Sequence, residues 1–313
     1  MIYNNIQSQI DSRLYLPESG AWPESWHRFD QPSVHAIIAA IAANKPLLVR
    51  GEPGVGKSQL ACAAAVALNR RFIAQVVQPN TEYQELLWTF DHTQRLADAQ
   101  LAGAMKDTSK IQDTEHYISP GALWWAYNWK SAEEMSTKQV FQPAENKHAP
   151  DAIKSGVVLL IDEVDKADIA LANGLLEVLG NGRFAVPPLG TTVSSNGINP
   201  LVVLTSNDTR QLPPALVRRC VVLDLALPKS AELLAHLESI GKTHFPETDD
   251  NVLRKAAEQI IFDREQCREL PRTGQAEFLD LLSALWEISD DVEQQISWLD
   301  KLAPFFLKSG VER

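Results

Sequence analysis

Short apolar runs alternate with amphipathic ones along the first 227 residues, and this alternation predicts an α/β body. Pro46–Val49 (PLLV) reads as a strand, and a helix-compatible run, LACAAAVALNR, follows from near Gln59. Phe72–Val77 (FIAQVV) is a second strand. Val157–Ile161 is wholly apolar, as is Leu201–Leu204, the pattern of strands buried on both faces of a parallel sheet. Cys220–Leu225 (CVVLDL) adds a further strand. Among the helices, His35–Ala43 is expected to be capped by Asp30 or Ser33. Asp168–Leu179 sets Leu171, Leu175, Leu176 and Leu179 on one face, with Gly180 as its stop. Leu212–Arg219 starts a short helix on Pro213 and Pro214, which suit a first turn. Glu82–Leu101 has the Leu, Ala and Glu content of a helix with untidy apolar spacing, and Phe184–Val193 reads as a hairpin or an excursion with a Pro-Pro and Gly break. Ile118–Trp129 opens on a Pro-Gly break and leads into Trp124, Trp125 and Trp129, large aromatics expected in the core. Residues 131–155 are polar and read as a surface excursion.

After Pro228 the period changes to that of helices throughout. Ser230–Gly241, Asn251–Gln266, Thr273–Ser289 and Val292–Lys308 are the expected spans. Leu253, Ala256, Ala257, Ile260 and Ile261 make one stripe, and Phe278, Leu281, Leu282 and Leu285 another. The pattern therefore divides the chain into an N-terminal arm, 1–29, holding Trp22 and Trp26; an α/β unit, 30–227; and an all-helical unit, 228–313.

Composition narrows the function classes. The chain of 313 residues is 45% hydrophobic and 22% charged, an ordinary globular mixture. No apolar run reaches the ~20 residues of a membrane span, and the start lacks the basic-then-apolar signature of a secretory signal. Cytoplasmic placement is the expectation. The three cysteines, Cys62, Cys220 and Cys267, lie far apart and read as small buried hydrophobes in a reducing compartment. A net charge of −11 argues against a general polyanion-binding surface.

Two stretches carry chemistry. Gly51–Ser58 (GEPGVGKS) lies between the first strand and its helix, the order a phosphate-binding loop requires. Gly51, Gly54 and Gly56 let the backbone turn its N–H groups inward, and the positive end of the next helix adds to that cage. Glu52, Pro53, Val55 and Gln59 complete the expected nucleotide-binding set. Lys57 reaches the outer phosphates, and the Ser58 hydroxyl is a ligand for Mg2+. The second stretch is GVVLLIDEVDKA, where a buried strand ends in Asp162 and Glu163. In parallel sheets the working residues sit at the carboxyl ends of strands. Asp162 is placed for a water-mediated magnesium contact, and Glu163 to polarise an attacking water. Asn207, after Leu201–Leu204, is a candidate to orient that water. Arg218 and Arg219 end the Pro-initiated helix, either to favour its dipole or to reach a neighbouring subunit's nucleotide. Arg272 stands at the start of the third C-terminal helix.

In this order GEPGVGKS, VLLIDE, LTSN, a paired arginine and a helical unit with its own arginine resemble the AAA+ ATPases. The strings PLLVRGEPGVGKS, ELLWTFDHTQRLADAQ, GALWWA, LLIDEVDKAD, NGLLEVLG, PLVVLTSNDTRQLPPALVRRC and LPRTGQAEFLDLL resemble the MoxR-like branch, and within it the carbon-monoxide-dehydrogenase-accessory-like members. The resemblance runs from about residue 30 to about 290. It implies a P-loop AAA+ core with a parallel sheet flanked by helices and a C-terminal helical lid. It implies ATP and Mg2+ as ligands and a homo-oligomeric, usually hexameric, ring with ATP between subunits. Lys57 and Ser58 match Walker A, Asp162 and Glu163 Walker B, Asn207 sensor 1 and Arg272 sensor 2. Arg219 matches the trans arginine finger, with Arg218 as runner-up. Relatives of this kind remodel client proteins, often with a von Willebrand A-domain partner. Residues 103–118 and 130–155 match nothing assignable.

Rival readings share these residues. A nucleic-acid motor of a restriction or defence system would need a basic stripe on a pore insertion, whereas 183–200 carries only Arg183. A nucleotide-gated scaffold would not need Glu163, Asn207 and the arginines together. A simple P-loop kinase or GTPase would not explain the helical lid.

Overall fold

The architecture is that of a computed structural model, which describes residues 2–105, 113–135, 141, 143, 155–195, 197–267 and 272–307. The chain begins with α1 (Ile2–Gln7), then an antiparallel pair, β1 (Arg13–Leu16) and β2 (Ser25–Arg28). Next come α2 (Gln31–Ala43), β3 (Leu47–Arg50), α3 (Lys57–Ala67) and β4 (Arg71–Val76). The segment 83–134 holds α4 (Tyr83–Leu87), β5 (Trp88–Phe90), α5 (His92–Met105), β6 (Ile118–Pro120), α6 (Ala122–Tyr127) and α7 (Trp129–Glu134). The sheet resumes with β7 (Val157–Asp162), followed by α8 (Ile169–Asn181), the hairpin β8 (Arg183–Val186) and β9 (Thr191–Ser194), then β10 (Leu201–Ser206), α9 (Pro214–Val217) and β11 (Val221–Asp224). Four helices follow: α10 (Ser230–His244), α11 (Asp250–Gln266), α12 (Gln275–Ile288) and α13 (Val292–Phe306). Most of the excursions 103–118 and 130–155 lies outside the described residues.

The central sheet is parallel, in the order β11-β3-β10-β7-β4. Its two faces bury alternate residues of the same strands. Leu48, Leu159, Ile161, Val202 and Leu204 join one cluster with α6 and α8. Leu47, Val49, Val158, Leu160, Leu201 and Val203 join the other with α2 and α3. This two-sided burial is why the strands carry unbroken apolar runs. The arm belongs to the second face, where Ile6, Leu16 and Phe29 are fully buried. Helices α10–α13 pack around a cluster of their own, including Leu237, Leu253, Ile260, Phe278 and Leu285. Among the described residues two hydrogen bonds help join the arm to α10: Arg13 Nε donates to the Thr243 carbonyl at 2.6 Å, and Arg28 donates to the Ser239 hydroxyl.

Several local expectations shift. Helix α2 starts at Gln31 rather than His35, because Asp30 accepts from the Ser33 amide at 2.9 Å and Pro32 suits the first turn. The single helix expected over Glu82–Leu101 is instead α4, β5 and α5. Leu86, Leu87 and Trp88 are all buried, and a continuous helix would spread three consecutive side chains over about 200°. Pairing Trp88 with Pro120 and Phe90 with Ile118 breaks the helix, and Asp91 restarts it by accepting from the Gln94 amide at 2.7 Å. Gly180 lies inside α8, and Gly182 ends that helix in the left-handed region at φ 63°. Trp124 and Trp125 are buried, and Trp129 lies under the Arg71 guanidinium, 4.0 Å from its ring centroid. Burial pushes the Cys62 thiol up to about 11 and the Cys220 thiol to about 12. No described helix is long and apolar enough to cross a membrane.

Leu160, fully buried between the sheet and helices α2 and α3, tests this packing. Leu160→Ala is expected to cost about 2–5 kcal/mol of unfolding free energy in urea titrations. Ile169→Ala, at a position 65% exposed, is expected to change stability by no more than about 0.5 kcal/mol.

Candidate active site

The ends of β3, β7 and β10 bring the singled-out residues into one place. The loop 51–56 leaves β3 and enters α3 through Gly56, which sits at φ 89°. Gly51 has no alternative, since a Cβ there would lie 2.1 Å from the Leu225 carbonyl oxygen. Lys57 is 6% exposed and folds over the loop, where its ammonium donates to the Gly51 and Glu52 carbonyls at 2.8 Å each. Burial lowers its pKa, opposed by the nearby acids Asp162, Asp165, Glu163 and Asp208.

The register between β7 and β10 sets Leu204 beside Ile161, so Thr205 falls next to Asp162. Asp162 Oδ1 accepts from the Ser58 hydroxyl at 2.8 Å and from the Thr205 hydroxyl at 2.5 Å. The Thr205 hydroxyl also accepts from the Glu163 amide at 2.8 Å. Glu163 follows in the left-handed region at φ 60°, a conformation that costs a non-glycine residue about 1 kcal/mol or more. That turn brings its carboxylate to Asn207 Nδ2 at 3.0 Å and Lys166 Nζ at 2.5 Å.

Asp165 holds the adjacent strand end. It is 2% exposed and accepts from the Asn207 amide, the Thr209 amide and the Thr209 hydroxyl at 2.6–3.3 Å. Burial by itself would raise its pKa, but those hydrogen bonds together outweigh it and hold the carboxyl below its ordinary value. A hydroxyl and a carboxylate at Ser58 and Asp162 form an oxygen-only pair, which fits a magnesium ion that keeps most of its waters.

Other predicted residues fall elsewhere. The Gln59 amide nitrogen donates to the Trp26 carbonyl at 3.2 Å, so its side chain fastens α3 to β2. Arg219, exposed, donates to the Leu176 carbonyl in the middle of α8 at 2.7 Å. Arg218 is also exposed, on the same short turn. Arg272 is exposed ahead of α12. The guanidinium that reaches the loop from the C-terminal helices is Arg264, 2.6 Å from the Glu52 carboxylate. Thr205, Asp165, Lys166 and Arg264 escaped the sequence reading. The DEVDKA string held a signal for two of them, whereas Thr205 and Arg264 depend on which strands and helices are neighbours.

Beside the loop lies a cavity of ≈ 110 Å³ lined by Val55, Gln59, Leu227, His27, His236 and His244 among others. Burial drives the pKa values of His27 and His244 down to about 4, and lowers that of His236. These side chains are therefore neutral at pH 7.

Residues 46–220 match a family profile described as AAA domain (dynein-related subfamily). No curated protein matches the chain. A RuvB point mutant from Thermotoga maritima aligns with TM-score 0.50 and 12% identity, covering 90% of this chain and 71% of its own. A second RuvB mutant from that organism aligns at 0.46 and 13%, covering 86% and 67%. A Cytophaga hutchinsonii protein, provisionally described as an ATPase, aligns at 0.39 and 12%, covering 95% and 71%. The first of these shows a shared fold.

Two outcomes follow from the charges. Both histidines have folded pKa values below the ordinary 6.5, so the unfolded chain takes up protons first and stability falls with pH. Between pH 7 and pH 5 each is expected to remove roughly 2 kcal/mol, read by chemical denaturation across pH. Asp165→Asn is expected to destabilise by about 1–3 kcal/mol at pH 7. Because the folded Asp165 pKa is depressed, its contribution is present above the ordinary carboxylate range and lost as pH falls through the folded value. The gap between wild type and this variant should therefore narrow in acid.

Proposed function

Because the chain belongs to the AAA domain family, dynein-related subfamily, and hydrolyses ATP as such, we propose that it is a MoxR-like ring ATPase whose turnover remodels a client protein. The carrying observation is the cluster at the strand ends. Ser58, Asp162 and Thr205 share one hydrogen-bonded group, with Glu163 held by Asn207 beside it.

Each residue has a role the geometry suits. The loop amides and the N-terminus of α3 receive the polyphosphate, and Lys57 exchanges its two carbonyl partners for outer phosphate oxygens. Ser58 and Asp162 would hold magnesium, which would supply positive charge to the phosphates when bound. Glu163 accepts a proton from the attacking water, and Asn207 fixes both that carboxylate and the water. Asp165 is a positioning residue, because it fixes the backbone of Asn207 and Thr209. Arg272 contacts the phosphates from the helical lid. Arg219, or Arg218 beside it, reaches the site of the next subunit in a hexameric ring. For Arg219 this requires release from the Leu176 carbonyl, a contact at the exposed surface that costs little to break. A von Willebrand A-domain protein is the partner this reading favours.

Lys57→Ala is expected to abolish tight ATP binding, and unchanged calorimetric affinity would remove the loop assignment. Glu163→Gln is expected to bind ATP while losing turnover by about 10²-fold or more; full activity would place the base elsewhere. The same variant, used as a trap in pull-downs, should retain client and partner. Mixing Arg219→Ala with Lys57→Ala protein should recover part of the hydrolysis through interfaces that keep both parts. No recovery at any ratio, with mixed rings shown to form, would argue against a finger in trans.

A further inference from the structure

The phosphate loop carries an acid of its own, Glu52, directly after Gly51. An unpaired carboxylate there would repel the polyphosphate that the loop is built to hold. In the structure it is paired: Arg264 Nη2, from α11, lies 2.6 Å from Glu52 Oε2. The guanidinium is 16% exposed and the carboxylate 36%, so the pair is partly withdrawn from solvent and its screening is reduced. Arg264 is itself fixed, because its Nη1 donates to the Thr273 carbonyl at 3.0 Å just before α12. The Thr273 hydroxyl donates in turn to Asp263, the residue before Arg264. The start of α12 leans on the same loop: a Cβ placed on Gly54 would lie 2.9 Å from the Ala276 Cβ. Glu52 also meets the site through its backbone, since its carbonyl accepts from Lys57.

We propose that Arg264 is a positioning residue for nucleotide binding: it neutralises the loop's own Glu52 and so removes one negative charge from the field that ATP meets. The inference rests on the ATP-binding reading above. It assigns the arginine of α11, rather than the glycine loop alone, a share of the loop's affinity for polyanions. Glu52 without Arg264 is worse for ATP than neither residue. This sign distinguishes neutralisation from a simple latch, in which the two residues only tie the helices to the loop.

The test is titration calorimetry of the full chain with ATP and ADP, at low and high salt, for wild type, Arg264→Gln, Glu52→Gln, the double variant and Arg264→Lys. Arg264→Gln should weaken ATP binding by roughly tenfold, because it leaves the Glu52 charge uncompensated beside the polyphosphate. The loss should be larger for ATP than for ADP and smaller at high salt. Adding Glu52→Gln to Arg264→Gln should improve ATP affinity over Arg264→Gln alone. Arg264→Lys, which keeps the charge but not the fork, should retain affinity within about threefold. If Arg264→Gln fails to fold, the Arg264→Lys and Glu52→Gln comparisons with ATP and ADP still decide the matter: a large, charge-independent loss in Arg264→Lys overturns neutralisation. Equal losses for both single variants and the double, with no dependence on phosphate number or salt, also overturn it. A wild-type chain that does not bind ATP, or a Lys57→Ala variant that binds as well as wild type, would remove the nucleotide reading itself and this inference with it.

Discussion

A buried ammonium surrounded by carboxylates is the constraint on which the site depends. Lys57 sits 6% exposed among Asp162, Glu163, Asp165 and Asp208, with Glu52 in its own loop. A site so rich in acid is a poor host for a polyphosphate unless each carboxylate already has a partner. The structure supplies those partners one by one. Asp165 is consumed by the amides and hydroxyl at the end of β10, and Asp162 by two hydroxyls. Glu163 faces Lys166 and Asn207, and Glu52 faces Arg264. The neutral donors orient Asp162 and Asp165 without cancelling their charge, so Lys57 and the loop amides receive a nucleotide against a residual acidic field.

Those pairings span separate parts of the chain, so binding and architecture are coupled. Arg264 comes from the helices after Pro228, and His27 and Gln59 join the arm to α3. Any rearrangement that moves α11 or α12 changes the charge and the space around the loop together. Loss of a phosphate would then be felt by a packed helical unit rather than by one side chain.

Much of the fold was legible in the chain. Apolar runs with no polar interruption mark strands covered on both faces, and β3, β4, β7, β10 and β11 all fall within a residue or two of where those runs lie. The glycine loop, Lys57, Ser58, Asp162, Glu163 and Asn207 were equally visible, because contiguous motifs hold them. The reading faltered over Glu82–Leu101, where helix-forming residues sit in a segment split by a strand. There tertiary burial of Leu87 and Trp88 against β6 and α6 overrode local propensity.

The sequence by itself determined the sheet strands, the helical C-terminal region and the identity of the phosphate loop, since each is written in periodicity or in adjacent residues. Only the tertiary structure decided which partner each charge takes. Glu52 and Arg264 lie 212 positions apart, and Thr205 and Asp162 lie 43 apart on neighbouring strands. No local pattern encodes such pairs, because the packing of two clusters across one sheet, and of a third beside it, fixes which side chains meet.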